Sequence, residues 1–142
     1  MNERAVLAAK ILLTLTAFEF FGPIVRDYNA THALNPAWVG HARLHLMWLL
    51  GFMFLSGVVN LWLIWRLQNL WLSLAWQACN LGGFWMAVVL APVYGGAVTM
   101  PDTHVLILGH DENVVVFAVL SVLLLAAGAS LRRAGNATGR RA

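Results

Sequence analysis

The sequence has few charged residues. Only 11% of its 142 residues are Asp, Glu, Lys or Arg, whereas 61% are hydrophobic. An ordinary soluble domain has roughly 25% charged residues, because its surface must interact with water. The low charge therefore argues against a soluble protein and favours a lipid bilayer as the solvent.

The chain also lacks the residues that several kinds of chemistry require. Its single cysteine, Cys79, excludes an intrachain disulfide. Cys79 has no histidine on its side of the predicted membrane domain, and no serine lies in a recognisable nucleophile motif, so nucleophilic catalysis is not indicated. Glu19 is the single glutamate within the apolar segments, and no Glu-x-x-His pair is present. This excludes a dinuclear carboxylate centre of the four-helix type.

Four long apolar segments dominate what is present. Each has the roughly 20 mainly apolar residues that cross a bilayer as a helix, and they run from about Ala5 to Val25, Leu44 to Trp65, Leu70 to Tyr94 and Asn113 to Leu131. The connection 66–69 is short enough to require an antiparallel hairpin. The first segment is too long for a signal peptide and has no small-x-small cleavage site, so we expect it to be retained. The sequence predicts one all-α membrane domain over residues 1–142, an antiparallel bundle of four transmembrane helices.

The distribution of charge predicts the orientation of this bundle. The N-terminal segment, the second connection and the C-terminal tail together hold seven of the nine basic residues: Arg4, Lys10, Arg66, Arg132, Arg133, Arg140 and Arg141. The first and third connections hold only Arg26 and Arg43, together with four of the six acids: Asp27, Asp102, Asp111 and Glu112. By the positive-inside rule both termini are cytoplasmic, and we expect a multi-pass protein of the bacterial inner membrane. The basic tail fits anionic lipid headgroups, so the net charge of +3 does not indicate nucleic-acid binding.

The histidines gather at the end opposite the termini. All five fall in or beside the first and third connections: His32, His41, His45, His104 and His110. Imidazole binds metals and haem and transfers protons near neutral pH. If these side chains converge at the outer mouth of the bundle, the chemistry of the protein is expected there.

His41 and His45 are the strongest candidates for a metal or cofactor site. They are one turn apart on one helix face, a spacing that lets two imidazoles bind one ion. The structural alternative is that His41 is solvated and His45 donates a hydrogen bond to Glu19 or to a loop carbonyl. Four residues of the third connection could complete a metal site or could simply be solvated: His104, His110, Asp111 and Glu112.

Polar residues within the apolar segments are few, and each is costly in a bilayer. Glu19 could act as an acid or base, could couple transport to protons, or could hold helices together through a structural hydrogen bond. Gly82 and Gly83 would let a helix or a flat ligand approach closely. Two polar stripes, which we expect to face each other inside the bundle, follow the second and third segments: Ser56 with Asn60, and Ser73 with Gln77 and Asn80.

Two short motifs carry a resemblance to a known family. They are Trp38-Val39-Gly40-His41-Ala42-Arg43-Leu44-His45 and Asn80-Leu81-Gly82-Gly83-Phe84-Trp85. The first resembles the Trp-x-Arg-x-His entry of styrene oxide isomerase, and the second resembles that family's Asn-x-Gly-Phe-Tyr. The resemblance covers about half of the chain. Gly51 stands where the family has a pocket asparagine, and Trp85 stands where it has a tyrosine.

Styrene oxide isomerases are small four-helix membrane enzymes that form trimers and bind haem b through a histidine. Their ferric iron acts as a Lewis acid and opens an epoxide, which rearranges to an aldehyde. The resemblance implies that His45 is the axial ligand and that Asn80 is the polar residue of the third helix.

We therefore expect a homo-oligomeric, haem- or metal-binding membrane enzyme with isomerase-like chemistry on a small apolar molecule that enters from the lipid. His45 and His41 would bind the cofactor, and Glu19 would be the acid or base. A divalent metal could replace haem. The alternatives are a non-enzymatic accessory or carrier protein without a cofactor, and a proton-coupled transporter that uses Glu19.

Overall fold

The computed structural model of the protein describes residues 2–99 and 105–139, and most of these residues are helical. The helices are α1 (Glu3–Thr16), α2 (Phe18–Asp27), α3 (Gly40–Trp62), α4 (Leu70–Tyr94) and α5 (Glu112–Gly139). A π-helical turn, Leu63–Leu67, continues α3. A small antiparallel hairpin of β1 (Leu106–Ile107) and β2 (His110–Asp111) precedes α5.

Within the described residues the helices form four rods that are long and apolar enough to cross a membrane. These rods are Glu3–Asp27, Gly40–Leu67, Leu70–Tyr94 and Glu112–Gly135. The predicted number, length and composition of the helices are therefore confirmed. Two helices extend beyond the predicted bounds: α5 continues to Gly139, and α3 begins at Gly40 and so includes His41 and His45 in its first two turns.

The connection between α3 and α4 is the tight turn that the sequence predicts. Gln68 adopts a left-handed conformation with φ of 54°, which ends the π turn. The side chain of Asn69 then caps α4 by accepting a hydrogen bond from the backbone N–H of Leu72 at 3.3 Å. The two helices are therefore antiparallel.

The two ends of the bundle differ in how tightly they are packed. We call the end with the α3–α4 turn the closed end, because α1 contacts this turn there. Lys10 Nζ donates to Gln68 Oε1 at 3.3 Å, and Trp65 Nε1 donates to Thr14 Oγ1 at 3.1 Å. We call the opposite end, where α2 ends and α5 begins, the open end.

A buried polar cluster joins three helices between the two ends. Gln77 of α4 donates to the Leu13 carbonyl oxygen at 3.0 Å and to Ser73 Oγ at 3.2 Å, and it accepts from Thr16 of α1. Ser73 Oγ in turn donates to Asn60 Oδ1 of α3 at 2.8 Å. The two polar stripes thus face each other on this side of the bundle, as predicted.

The face of α3 that carries Ser56 and Asn60 is buried near the closed end but exposed towards the open end. Leu49 precedes Asn60 by about three helical turns and Phe52 precedes Ser56 by about one, so all four side chains share a face. Ser56 and Asn60 are 2% and 0% exposed, whereas Leu49 and Phe52 are 52% and 53% exposed. This change marks a cleft between α3 and α4.

A close contact between α2 and α3 fixes one wall of this cleft. A Cβ atom added at Gly57 would overlap the ring of Phe21. Phe21 also packs edge-to-face on Phe54, with ring centroids 6.1 Å apart. Glycine at position 57 therefore lets α2 lie against α3, and this contact positions the polar residues of α2.

This contact predicts opposite effects of two glycine substitutions in the same helix. Alanine favours a helix over glycine by about 1 kcal/mol, so Gly51→Ala, which has no heavy atom within 4 Å of its added Cβ, should be neutral or stabilising. Gly57→Ala must displace Phe21, and overpacking of this kind costs about 1–3 kcal/mol. We expect Gly57→Ala to lower the melting temperature of the detergent-solubilised protein, followed by circular dichroism. Equal melting temperatures for both variants would contradict this packing.

Candidate functional site

The cleft between α3 and α4 continues into a large cavity. The cavity has a volume of about 1040 Å³ and is lined by α2, α3, α4 and α5, at the upper end of the range for small-molecule sites. Its walls are mainly apolar and rich in aromatic side chains, among them Phe20, Phe52, Trp76, Phe84 and Phe117. Such a space is suited to a mainly apolar molecule.

Glu19 is a buried acid in the wall of this cavity. It is only 1% exposed, and its Oε2 accepts a hydrogen bond from Asn80 Nδ2 at 3.2 Å. Its other oxygen, Oε1, is buried and has no hydrogen-bond donor among the described residues. An unpaired buried carboxyl oxygen is costly, so a hydrogen-bond donor that reached Oε1 from the cavity would stabilise Glu19.

The remaining charged residues of the wall are paired near the open end. Arg26 of α2 forms an ion pair with Glu112 of α5. Asp27 lies 4.0 Å from His32 Nε2, and His32 Nδ1 is 2.8 Å from Thr31 Oγ1. In the part of the chain that the structure describes, Glu19 is thus the cavity carboxyl without a basic partner.

His41 and His45 contact each other rather than Glu19. Their Nε2 atoms are 2.9 Å apart, and their rings are nearly perpendicular. Both side chains are exposed on α3, and neither is among the described residues that line the cavity. The structure thus brings Glu19 and Asn80 together at one place and the two histidines together at another.

The histidine pair fits two ligands of one metal ion. At metal–nitrogen distances of about 2.0–2.1 Å, two nitrogens 2.9 Å apart subtend an angle of about 90° at the metal. Among residues 2–99 and 105–139, no group of three His, Cys, Asp or Glu side chains could hold a metal ion. Further ligands would have to come from outside the described residues, or from water, a cofactor or another subunit.

Haem fits this pair only in part. One imidazole is available as an axial ligand, and Trp48 lies beside His45 with ring centroids 6.1 Å apart. A haem bound there would lie against the exposed face of α3, outside the cavity. Its other face would be covered only in an assembly of several copies.

The other predicted residues are dispersed. Gly83 lines the cavity, whereas Gly82 is exposed and lies outside the described lining. His110 lies in β2, and Asp111 accepts a hydrogen bond from the backbone N–H of Asn113 at 2.9 Å. His104 lies outside the described residues.

Sequence reasoning missed the cavity and most of its wall. The apolar side chains of the wall cannot be distinguished by type from those that face lipid. The ion pair between Arg26 and Glu112 did have a signal, because opposite charges stand where the first segment ends and the fourth begins. Trp85 Nε1 donates to Ser121 Oγ at 3.0 Å, so a residue singled out by the resemblance instead holds α4 to α5.

Comparison with known proteins assigns no family. No protein-family model, characterised protein or solved structure matches the chain. The resemblance to styrene oxide isomerase therefore stays a prediction based on two short motifs, and the function has to be argued from the geometry of the site.

Proposed function

We propose that this chain is an integral membrane protein that binds a small, mainly apolar molecule in the cavity between α2, α3, α4 and α5. One observation carries the proposal: an apolar cavity of about 1040 Å³ contains the buried carboxyl of Glu19 with one free oxygen. Binding sites for small molecules commonly combine apolar walls with a few placed polar groups.

The cleft between α3 and α4 is the proposed entrance. Leu49 and Phe52 on α3 and Trp76 on α4 line the cavity on this side and are exposed. In a bilayer these side chains would face hydrocarbon, so an apolar molecule could move from the lipid into the cavity without crossing water. This route supports a ligand that is dissolved in the membrane.

Glu19 and Asn80 would provide the polar groups that contact the bound ligand. Asn80 holds Oε2 of Glu19 by a hydrogen bond and leaves Oε1 free to contact the ligand. In an enzyme this carboxyl would take a proton from the ligand or give one to it, which suits an isomerisation. In a carrier it would only fix the ligand's orientation.

In the proposed orientation the closed end and both termini face the cytoplasm. Lys10 contacts the α3–α4 turn, which places Arg4, Lys10 and Arg66 at one end of the bundle. The open end carries more acids than bases. The positive-inside rule then favours a cytoplasmic closed end.

Cysteine labelling tests this orientation. In a Cys79→Ala background, we expect Ala30→Cys to react with a membrane-impermeant maleimide added to intact cells. Gln68→Cys should react only after the membrane is permeabilised. The reverse pattern would contradict the orientation, and equal labelling of both without permeabilisation would contradict membrane insertion.

Gly82 and Gly83 provide a matched pair for testing the cavity. An added side chain meets no heavy atom within 4 Å at either position, but only Gly83 lines the cavity. Gly83→Phe should therefore place a ring inside the cavity and reduce its volume, whereas Gly82→Phe should leave the cavity unchanged. We expect n-butylbenzene to raise the melting temperature of the wild type and of Gly82→Phe, because ligand binding stabilises the folded state.

The rise should be smaller in Gly83→Phe, because the added ring takes part of the space that the probe would occupy. An equal rise in all three proteins would indicate non-specific partition of n-butylbenzene, and no rise in the wild type would exclude binding of this apolar probe. Either result would contradict binding of a purely apolar molecule in the cavity.

A second candidate function is suggested by the histidine pair. The distance of 2.9 Å between the Nε2 atoms of His41 and His45 supports a site for a divalent metal, or for haem b between subunits of a homo-oligomer. Bound iron or another metal would supply a Lewis acid of the kind that styrene oxide isomerases use. His45 would be the axial ligand and His41 its neighbour.

The absorption spectrum of the purified protein tests this candidate. If haem is bound through His45, we expect a Soret band that is lost or shifted in His45→Ala and unchanged in His110→Ala, where the histidine lies in β2. If a divalent metal is bound instead, elemental analysis should show it in the wild type and in His110→Ala but not in His45→Ala. A colourless and metal-free wild type would contradict both forms.

A further inference from the structure

The charges around the cavity narrow the class of its ligand. The described wall contains one arginine and three carboxyl groups: Arg26, Glu19, Asp27 and Glu112. Arg26 is paired with Glu112, and Asp27 has His32 beside it. The surplus of acids argues against an anionic ligand, because a carboxylate or phosphate would be repelled at close range.

Among the three carboxyl groups of the described wall, Glu19 is the one without a basic partner. Its described polar contact is the neutral amide of Asn80 at 3.2 Å, and it is 1% exposed. A buried carboxylate without a partner is costly, and a cation offsets this cost where the geometry of the pair and its hydrogen bonds are good. A neutral apolar molecule would leave Glu19 Oε1 without a partner, so the geometry favours a ligand that brings both a hydrogen-bond donor and positive charge.

The aromatic residues of the wall suit the same kind of ligand. Phe18 and Phe20 flank Glu19 in the sequence, and both line the cavity, as does Trp76. Aromatic rings attract cations through the negative potential of their faces, and the attraction grows when the cation is removed from water. They also provide the apolar surface that covers the rest of an amphiphilic molecule.

We propose that the cavity ligand is an amphiphilic amine, a molecule with an apolar body and one cationic nitrogen. The nitrogen donates a hydrogen bond to Glu19 Oε1, and the apolar body lies towards the cleft between Leu49 and Phe52 of α3 and Trp76 of α4. This inference rests on the proposed function, because it names the ligand class of the same cavity.

Three probes with the same phenylbutyl body test the inference: 4-phenylbutylamine, 4-phenylbutan-1-ol and 4-phenylbutyrate. Their affinities are measured by titration calorimetry on protein in nanodiscs of zwitterionic lipid, with empty nanodiscs as the reference for partition. Both the amine and the alcohol can donate to Glu19, but only the amine adds an opposite charge, so we expect it to bind about ten-fold more tightly than the alcohol. The carboxylate should bind more weakly than either.

Two substitutions assign the preference to Glu19. Glu19→Gln keeps the size and polarity of the side chain but removes its charge, so the amine should lose its advantage over the alcohol. Glu19→Asp keeps the charge and should keep the preference for the amine. Gly83→Phe, which adds a ring inside the cavity, should weaken binding of both probes relative to Gly82→Phe if they bind there.

The outcomes separate this inference from the proposed function. Equal affinities of the amine and the alcohol in the wild type would overturn the amine and leave the cavity function standing. A preference that persists in folded Glu19→Gln would also overturn the role of Glu19. If none of the three probes binds and n-butylbenzene gives no rise in melting temperature, the proposed function itself fails. The wild-type order of affinities decides the question even where a Glu19 variant does not fold.

Discussion

The buried hydrogen bonds of Gln77 are the constraint on which the rest of the structure depends. Gln77 reaches α1 through Thr16 and the Leu13 carbonyl, and it reaches α3 through Ser73 and Asn60. In an apolar surrounding these groups have no water to replace lost partners, so the three helices must stay together at this level. With the tight turn after the π helix, the cluster fixes one end of α3 and α4 and leaves their other ends free to diverge.

The divergence of α3 and α4 leaves space for the cavity within the helical bundle itself. α2 fills part of the widening space, because Gly57 lets Phe21 approach α3 closely. The same contact places Glu19 beside the cleft, with Asn80 of α4 as its partner. Oε2 of Glu19 is thus held within the protein, whereas Oε1 has no donor among the described residues. In the proposed function this second oxygen contacts the ligand.

The sequence predicted the parts of this structure that depend on local composition. Apolar length and the short connection 66–69 predicted four helical rods and the α3–α4 hairpin, and the spacing of Asn60, Ser73 and Gln77 predicted facing polar stripes. The cavity could not be predicted, because Leu49, Phe52 and Trp76 have the same residue types as lipid-facing positions. Glu19 was identified as a candidate from its cost in a bilayer, but its pairing with Asn80 depends on how α2 crosses α4. His41 and His45 were predicted to share a helix face, and they do. That this face lies outside the cavity could not be predicted, because it depends on how α3 diverges from α4.

The π turn at Leu63–Leu67 lies at one end of α3, so a small change of angle there corresponds to a larger displacement at the other end. About 23 residues separate Leu63 from Gly40, and at 1.5 Å per residue this is an arm of about 35 Å. A rotation of only about 5° at the turn would move the far end of the helix by about 3 Å, close to the width of a methyl group. The hydrogen bonds of Trp65 and Gln68 to α1 hold this turn, so the angle that they help to set contributes to the width of the cleft at the opposite end of α3.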